Sequence, residues 1–540
     1  MKRYISLLCL TFVSLVGIAQ VNDTINRMVL IESTYNPIIA GAVKRNFIPD
    51  AVSPSMQKEQ VVYADENQPI QRFVRGIDAV QSIALEQEGR FPGYIHFGYG
   101  NYNNLNGLAT YNVNIKENQN LAFKAHLHGW NGYIKNADSD KWFSALHDMG
   151  VNADYRLSLG KAELEVGGSA VNYLYNYQTR NLGEGYTNDQ QSMMANAYFK
   201  LRGIAREHYT YQFDSRYTYF DRATLWGAAH NHCEQHLHTM ASFSADFYEK
   251  GIATLRLRSD LLMYRGLEGY RNYYSLGFTP EWNYRYGNWR FLAGANLDFL
   301  THNGPIVQAS PQCSVSYVPA KIFSADFVLN GGRDITTLSR LYAVSPYWAS
   351  AEQLRSSYTY LNAQMGANLR LFEGLSIHLG GGYKVVTDAL FSVAADTLGF
   401  VYSGVANHNA RILYAEGDVR YLYKEILQLS ADARYNHWMV KGQQSVLGRA
   451  PQLDVNLLAR IRIIKGLYLN SDCRYVTFTE VEDTPRELSI INWSLGAHYA
   501  MDRQWSFFLD GHNLLNRRYQ HYAGYPSQGF NVMAGAVFKF

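Results

Sequence analysis

The chain has 540 residues, of which 47% are hydrophobic, 18% charged and 14% aromatic, with 42 tyrosines. Forty-nine basic side chains against 46 acidic ones leave a net charge of +3, which excludes a strongly basic nucleic-acid binder and an acidic disordered tail. A mean hydropathy of -0.25, with no later apolar run long enough to span a bilayer as a helix, excludes a helical membrane bundle.

The first element is a targeting segment. Lys2 and Arg3 give a positive start, residues 5–18 an apolar stretch, and Gly17 and Ala19 the small residues a signal peptidase reads. Cleavage is expected after Ala19. Cys9 sits inside the apolar stretch, which argues against a lipid anchor there. The other cysteines, Cys233, Cys313 and Cys473, are odd in number and widely spaced, so they form neither a disulfide framework nor a zinc pattern.

Segment 20–92 holds five of the thirteen prolines: Pro37, Pro49, Pro54, Pro69 and Pro92. That density breaks helices and central strands, so the segment is expected to be mostly extended or loop, with one short helix possible over 74–87.

From Gly93 to Phe540 the pattern becomes strict alternation. In 119–130, Leu121, Phe123, Ala125 and Leu127 share one face, and Lys124, His126 and His128 the other. In 452–463, Leu453, Val455, Leu457, Ile461 and Ile463 alternate with Gln452, Asp454, Asn456, Arg460 and Arg462. In 208–219 tyrosine and phenylalanine alternate with polar residues. Period two predicts strands. Twenty-two are read, including 305–317, 320–332, 374–388 and 407–423. Their connections alternate in length. One set is minimal, as at 117–118, Gly160, 424–425 and 465–466; the other is long, as at 131–146, 177–189, 220–232, 333–354, 389–406, 441–449 and 513–527. An even strand count with alternating short turns and long loops predicts an all-β transmembrane antiparallel β-barrel, with the long loops outside the cell.

The C-terminal residues sharpen this. Asn513-Leu514-Leu515-Asn516 leads to Tyr519, then Gly524-Tyr525-Pro526, then a closing strand ending at Phe540. This resembles the last hairpin of TonB-dependent outer-membrane receptors. Phe538 and Phe540, in phase with Val532, Ala534 and Ala536, resemble the barrel-assembly signal. The opening strand 93–102 and the segments 35–37 and 44–49 are similar to receptor-like barrels of the Bacteroidetes type. The resemblance implies a receptor-type barrel in the outer membrane of a Gram-negative bacterium, binding or passing a solute. It implies outer-membrane lipid and the barrel-assembly machinery as partners, with TonB a further one; residues 28–33 are read as a short apolar strand tucked into the lumen, with a TonB box as the alternative. The family's globular plug is larger than the 73 residues of segment 20–92. The expectation is that this member lacks the plug, and that 20–92 with inward-folded loops partly occludes the lumen. The alternative is a structural or interaction barrel without transport.

Candidate chemistry is sparse. His230, His232, Cys233, His236 and His238 are the densest cluster of metal-ligating types. Alternation reads His236 and His238 as polar lumen residues and turns Cys233 away, so no metal is expected. Asp432 with Arg434, Asp472 with Arg474, Asp214 with Arg216, and Asp454, Arg460 and Arg462 are read as cross-strand charge pairs of the wall. The aromatic clusters Tyr264/Tyr270/Tyr273/Tyr274, Leu341/Tyr342/Tyr347/Trp348 and Tyr519/Tyr522/Tyr525 are read as an interfacial girdle rather than a ligand clamp. No nucleophile elbow, zinc-binding helix or phosphate loop occurs, so neither enzyme activity nor a cofactor is expected, nor a nucleic-acid partner.

Overall fold

The computed structural model describes residues 91–540 apart from 136–140, 180–188, 204–208, 223–231, 248–250, 268, 321, 350–352, 373, 398–399, 425, 443 and 482–488. The signal segment with Ala19, the stretch 28–33, His230 and all but the last two residues of 20–92 therefore lie outside the described residues.

The alternating segments form one closed barrel of 22 antiparallel strands. In chain order these are β1 Gly93–Gly100, β2 Leu105–Lys116, β3 Gln119–Lys135, β4 Lys141–Ser158, β5 Ala162–Asn176, β6 Asp189–Gly203, β7 Tyr209–Arg222 and β8 His232–Phe247. Then come β9 Gly251–Arg265, β10 Tyr273–Tyr286, β11 Trp289–Leu300, β12 (Val307–Pro311 and Cys313–Ala320), β13 Phe323–Asp334, β14 Ser357–Phe372 and β15 Leu375–Thr397. The rest are β16 Phe400–Tyr423, β17 Leu427–Val440, β18 Pro451–Ile464, β19 Leu467–Phe478, β20 Ile490–Ala500, β21 Trp505–His512 and β22 Asn531–Lys539.

Each strand pairs with the next, and β22 returns to β1 in a register running from Tyr94↔Lys539 to Gly100↔Met533. Closure leaves no unpaired edge, as a backbone in hydrocarbon requires. At the seam Gly93 and Phe540 exchange two backbone hydrogen bonds of 2.9 and 3.0 Å. A Cβ on Gly93 would lie 2.3 Å from the Phe540 ring, so a larger residue there would push that ring aside. Phe538 packs on Trp505 with ring centroids 4.6 Å apart.

The two faces sort as the alternation predicts. Phe97, Phe123, Val151, Tyr211, Leu457 and Ile463 are exposed on the outside, an apolar and aromatic belt suited to lipid. Lys124, His126, Asp454 and Arg460 take the opposite face. Short turns close one end, as at 159–161, where Gly160 has φ +70° and an L side chain would be strained.

Three boundaries differ from the sequence reading. The turn expected at 318–319 falls instead at 321–322, because Tyr317 to Ala320 form a register shift that carries β12 past Pro319. Loop 131–146 shrinks to 136–140, since β3 and β4 pair out to Lys135↔Lys141. Loop 389–406 is mostly hairpin: β15 and β16 run 23 and 24 residues. A bilayer needs only about 9–11 residues of a tilted strand, so these two stand well clear of the membrane at the long-loop end.

Candidate functional site

The long-loop mouth is crossed by side chains from loops that fold inward. The largest contribution is segment 335–356, between β13 and β14. It contains one helix, α1 Leu338–Val344. Thr337 caps it: its Oγ1 accepts a hydrogen bond from Arg340 N at 3.0 Å. Arg340 makes a bidentate ion pair with Asp334, which holds the helix against the end of β13. Leu338, Leu341, Tyr342 and Val344 are buried.

The far anchor is Glu234 on β8, five strands away in chain order. Its side chain is fully buried, and Oε2 accepts from Leu338 N at 2.8 Å. A carboxylate at the amide end of a helix satisfies a donor that would otherwise be orphaned.

Past the helix, Tyr347 and Trp348 reach an aromatic core shared by several walls. Tyr347 lies face to face on Tyr525 of the last long loop, with centroids 3.5 Å apart and planes 4° off parallel. Tyr175 and Tyr177 meet Tyr347 edge-on at 6.0 and 6.3 Å. The guanidinium of Arg222, buried at the top of β7, sits 4.4 Å from the Trp348 ring. Its Nε donates to Tyr175 Oη at 3.1 Å and its Nη2 to Tyr177 Oη. Backbone pairing completes the span: Trp348–Ala349 runs parallel to Ser403–Gly404 of β16, and Gln178–Thr179 pairs with Phe400–Val401. Gln178 N donates to Tyr525 Oη at 3.1 Å.

The last loop is itself built up. Gln520–Tyr522 and Tyr525–Pro526 form a small hairpin. Arg449, from the short helical segment Gln444–Arg449, donates to Gln520 O at 3.1 Å and ties two loops together. Burial pushes the phenols of Tyr342, Tyr347 and Tyr525 well above their ordinary range, so all three stay neutral. Burial, with Arg474 and Arg449 nearby, pushes His521 down to about 3.

The aromatic clusters are therefore mostly not a girdle. Leu341, Tyr342, Tyr347, Trp348, Tyr519 and Tyr525 are buried, and Tyr264, Tyr270 and Tyr522 pack against the buried cluster. Tyr274 alone among the named residues keeps an exposed outward ring. Among the described residues, the indole N–H groups of Trp142 and Trp348 are buried without a hydrogen-bond partner. Each such donor costs about 1–3 kcal/mol.

The expected wall pairs form in part. Arg474 grips Asp454 across β19 and β18 through two bonds of 2.7 and 3.1 Å. Arg434 instead takes Glu416 at 2.9 Å, and Asp432 accepts from Asn456 at 2.8 Å. Arg460 lies 4.3 Å over the Tyr468 ring. Sequence reasoning missed Glu416 and Glu234, since each meets its partner only through strand register or a folded loop.

A closed barrel with an apolar belt, minimal turns at one end and inward loops at the other has the fold of outer-membrane receptor barrels. No known family model matches the chain, and no curated protein matches it. Solved structures do. The FrpB iron transporter from Neisseria meningitidis is 11% identical, with a TM-score of 0.66 over 84% of this chain and 81% of that one. A ferric enterobactin receptor (PfeA) mutant from Pseudomonas aeruginosa is 10% identical, with a TM-score of 0.63 over 83% and 80%. The copper transporter OprC is 12% identical, with a TM-score of 0.61 over 84% and 81%. At these identities the likeness is one of fold.

Proposed function

We propose that the chain is an outer-membrane receptor that binds a solute at its outer mouth and admits it through the lumen when the aromatic cap opens. The observation that carries this is the cap itself. Segment 335–356 crosses from β13 to Glu234 and to Tyr525, and it buries aromatic rings where a wide barrel would otherwise leave a channel. In this reading the long loops face the cell exterior, and the sequence-based expectation that segment 20–92 helps to occlude the lumen is carried over as part of the proposal.

Single-channel conductance in planar bilayers tests it. Four chains without residues 1–19 are compared: the unaltered chain, one lacking 20–92, one with 338–348 replaced by a Gly-Ser linker, and one with both changes. The expected result is a nearly closed unaltered chain and a wide, steady pore in the double variant. An unaltered chain that already conducts widely overturns gating and leaves a passive pore. A double variant that stays closed overturns transport and leaves the scaffold reading.

A further inference from the structure

A second cluster lies on the lumen face of β8 and β9. His236 and His238 stand two residues apart on β8, which puts both rings on one face of the strand. Register sets Asp260 of β9 directly across from His238. His236 Nε2 is 2.9 Å and His238 Nδ1 2.7 Å from the same oxygen, Asp260 Oδ1. Two imidazole nitrogens and a carboxylate oxygen thus lie within 4.8 Å of one another.

Elsewhere in the lumen, histidine and aspartate meet one to one, as in His126–Asp148 at 2.8 Å and His498–Asp510 at 3.0 Å. Here two imidazoles crowd one oxygen of a buried carboxylate. The other oxygen is left over. Asp260 is 2% exposed, and among the described residues its Oδ2 has no hydrogen-bond partner. Arg258 keeps its Nε 3.7 Å from that atom and sends Nη2 to Asp298 at 2.7 Å. Ser275, in register with Asp260 on β10, is fully buried, and its Oγ also has no partner among the described residues. Buried oxygens without donors are costly. A cation held by Asp260 would compensate the charge buried on its carboxylate.

We infer that His236, His238 and Asp260 form a binding site for a divalent first-row transition-metal ion. Two imidazoles and a carboxylate suit Zn²⁺, Ni²⁺ and Cu²⁺ rather than Ca²⁺ or Mg²⁺, which take oxygen donors. Tetrahedral bonds of about 2.0–2.1 Å set ligand atoms about 3.3 Å apart. Each imidazole would therefore withdraw by about half an ångström from its present contact with Asp260. The His238 ring has room to do so, since its side chain is 34% exposed to the lumen. Three protein ligands leave a position open toward the lumen, the arrangement of a site that exchanges its ion rather than locking it in. Arg258 beside Asp260, and Arg216 across from His238 on β7, add positive charge that weakens cation binding. This differs from the sequence expectation of no metal. It also stands apart from the transport reading, because binding is measured on the isolated chain.

The test is titration of the refolded full chain with Cu²⁺, Ni²⁺ and Zn²⁺ in separate calorimetric experiments, with electron paramagnetic resonance on the Cu²⁺ form. One saturable site per chain is expected, with hyperfine coupling from two nitrogens. The His236→Asn/His238→Asn double variant should lose it, and Asp260→Asn should weaken it by at least about tenfold. Arg258→Gln should tighten it, and His126→Asn should leave it unchanged. Absence of saturable binding for all three ions overturns the inference, as does undiminished binding in the double variant. If the double variant fails to fold, the unaltered chain decides: fewer than two nitrogens on Cu²⁺ refutes the site.

Discussion

Tyr347→Ala is the most direct probe of the cap. Tyr347 is fully buried and stacks on Tyr525 at 3.5 Å, with Tyr175, Tyr177 and Tyr522 around its edges. Truncating a buried aromatic ring to alanine costs about 3–5 kcal/mol, because transfer energy and packing are lost together. The Tyr525 stack accounts for about 0.5–1.5 kcal/mol of that. The barrel wall does not depend on this ring, so the loss falls on the closed state of segment 335–356. A loss of about 3 kcal/mol raises the opening equilibrium constant more than 100-fold, at about 1.4 kcal/mol per factor of ten. Amide hydrogen exchange reads this directly. The backbone N–H groups of Leu341, Ser345 and Trp348, each bonded within the segment, should lose protection by that factor. Strand amides of β13 should not change. Tyr133→Ala, on an exposed ring of the outer face, is the matched control. Exchange at those three amides within threefold of the unaltered chain would show that the aromatic stack does not hold the cap.

Glu234→Ala removes the acceptor of Leu338 N and should raise exchange at the start of α1 about tenfold or more, from an orphaned donor worth about 1–3 kcal/mol. Glu234→Gln keeps an acceptor and should stay near the unaltered chain. Arg474→Ala leaves Asp454 largely buried without its partner and should lower barrel stability by about 1–3 kcal/mol, discounted for the wet lumen. Denaturant midpoints by heat-modifiable gel mobility check this, and Arg474→Ala/Asp454→Ala should recover most of the loss. The last prediction concerns pH. His521 sits near 3 in the cap against 6.5 in an open loop, so only the open loop takes up a proton between these values. Closure is thus fully supported above about 6.5 and is lost as pH falls toward 3, by up to tenfold per pH unit. Exchange in 519–526, corrected for intrinsic rate, should follow that slope, and His521→Gln should abolish it.

The barrel was legible because alternation is a local signal. Leu121, Phe123, Ala125 and Leu127 announce a strand without reference to any other part of the chain, and the same holds around the wall. The closing hairpin was legible from Asn513 to Phe540 for a similar reason. Register and loop folding were not. His236 and His238 stand out in the sequence, but Asp260 joins them only because β9 pairs back on β8 with a fixed offset. Tyr347 and Tyr525 are 178 positions apart and meet only once two loops have turned inward. An aromatic residue in a loop has the same composition whether it lies at a lipid interface or in a buried stack. The turn expected at 318–319 was displaced for a similar reason: a register shift between Tyr317 and Ala320 lets the strand run on past Pro319.

The tall hairpin of β15 and β16 has a mechanical implication. Trp348–Ala349 is zipped to Ser403–Gly404 near its tip, and Gln178–Thr179 to Phe400–Val401 just above. A force applied to that projecting arm would reach the cap through these two short backbone pairings.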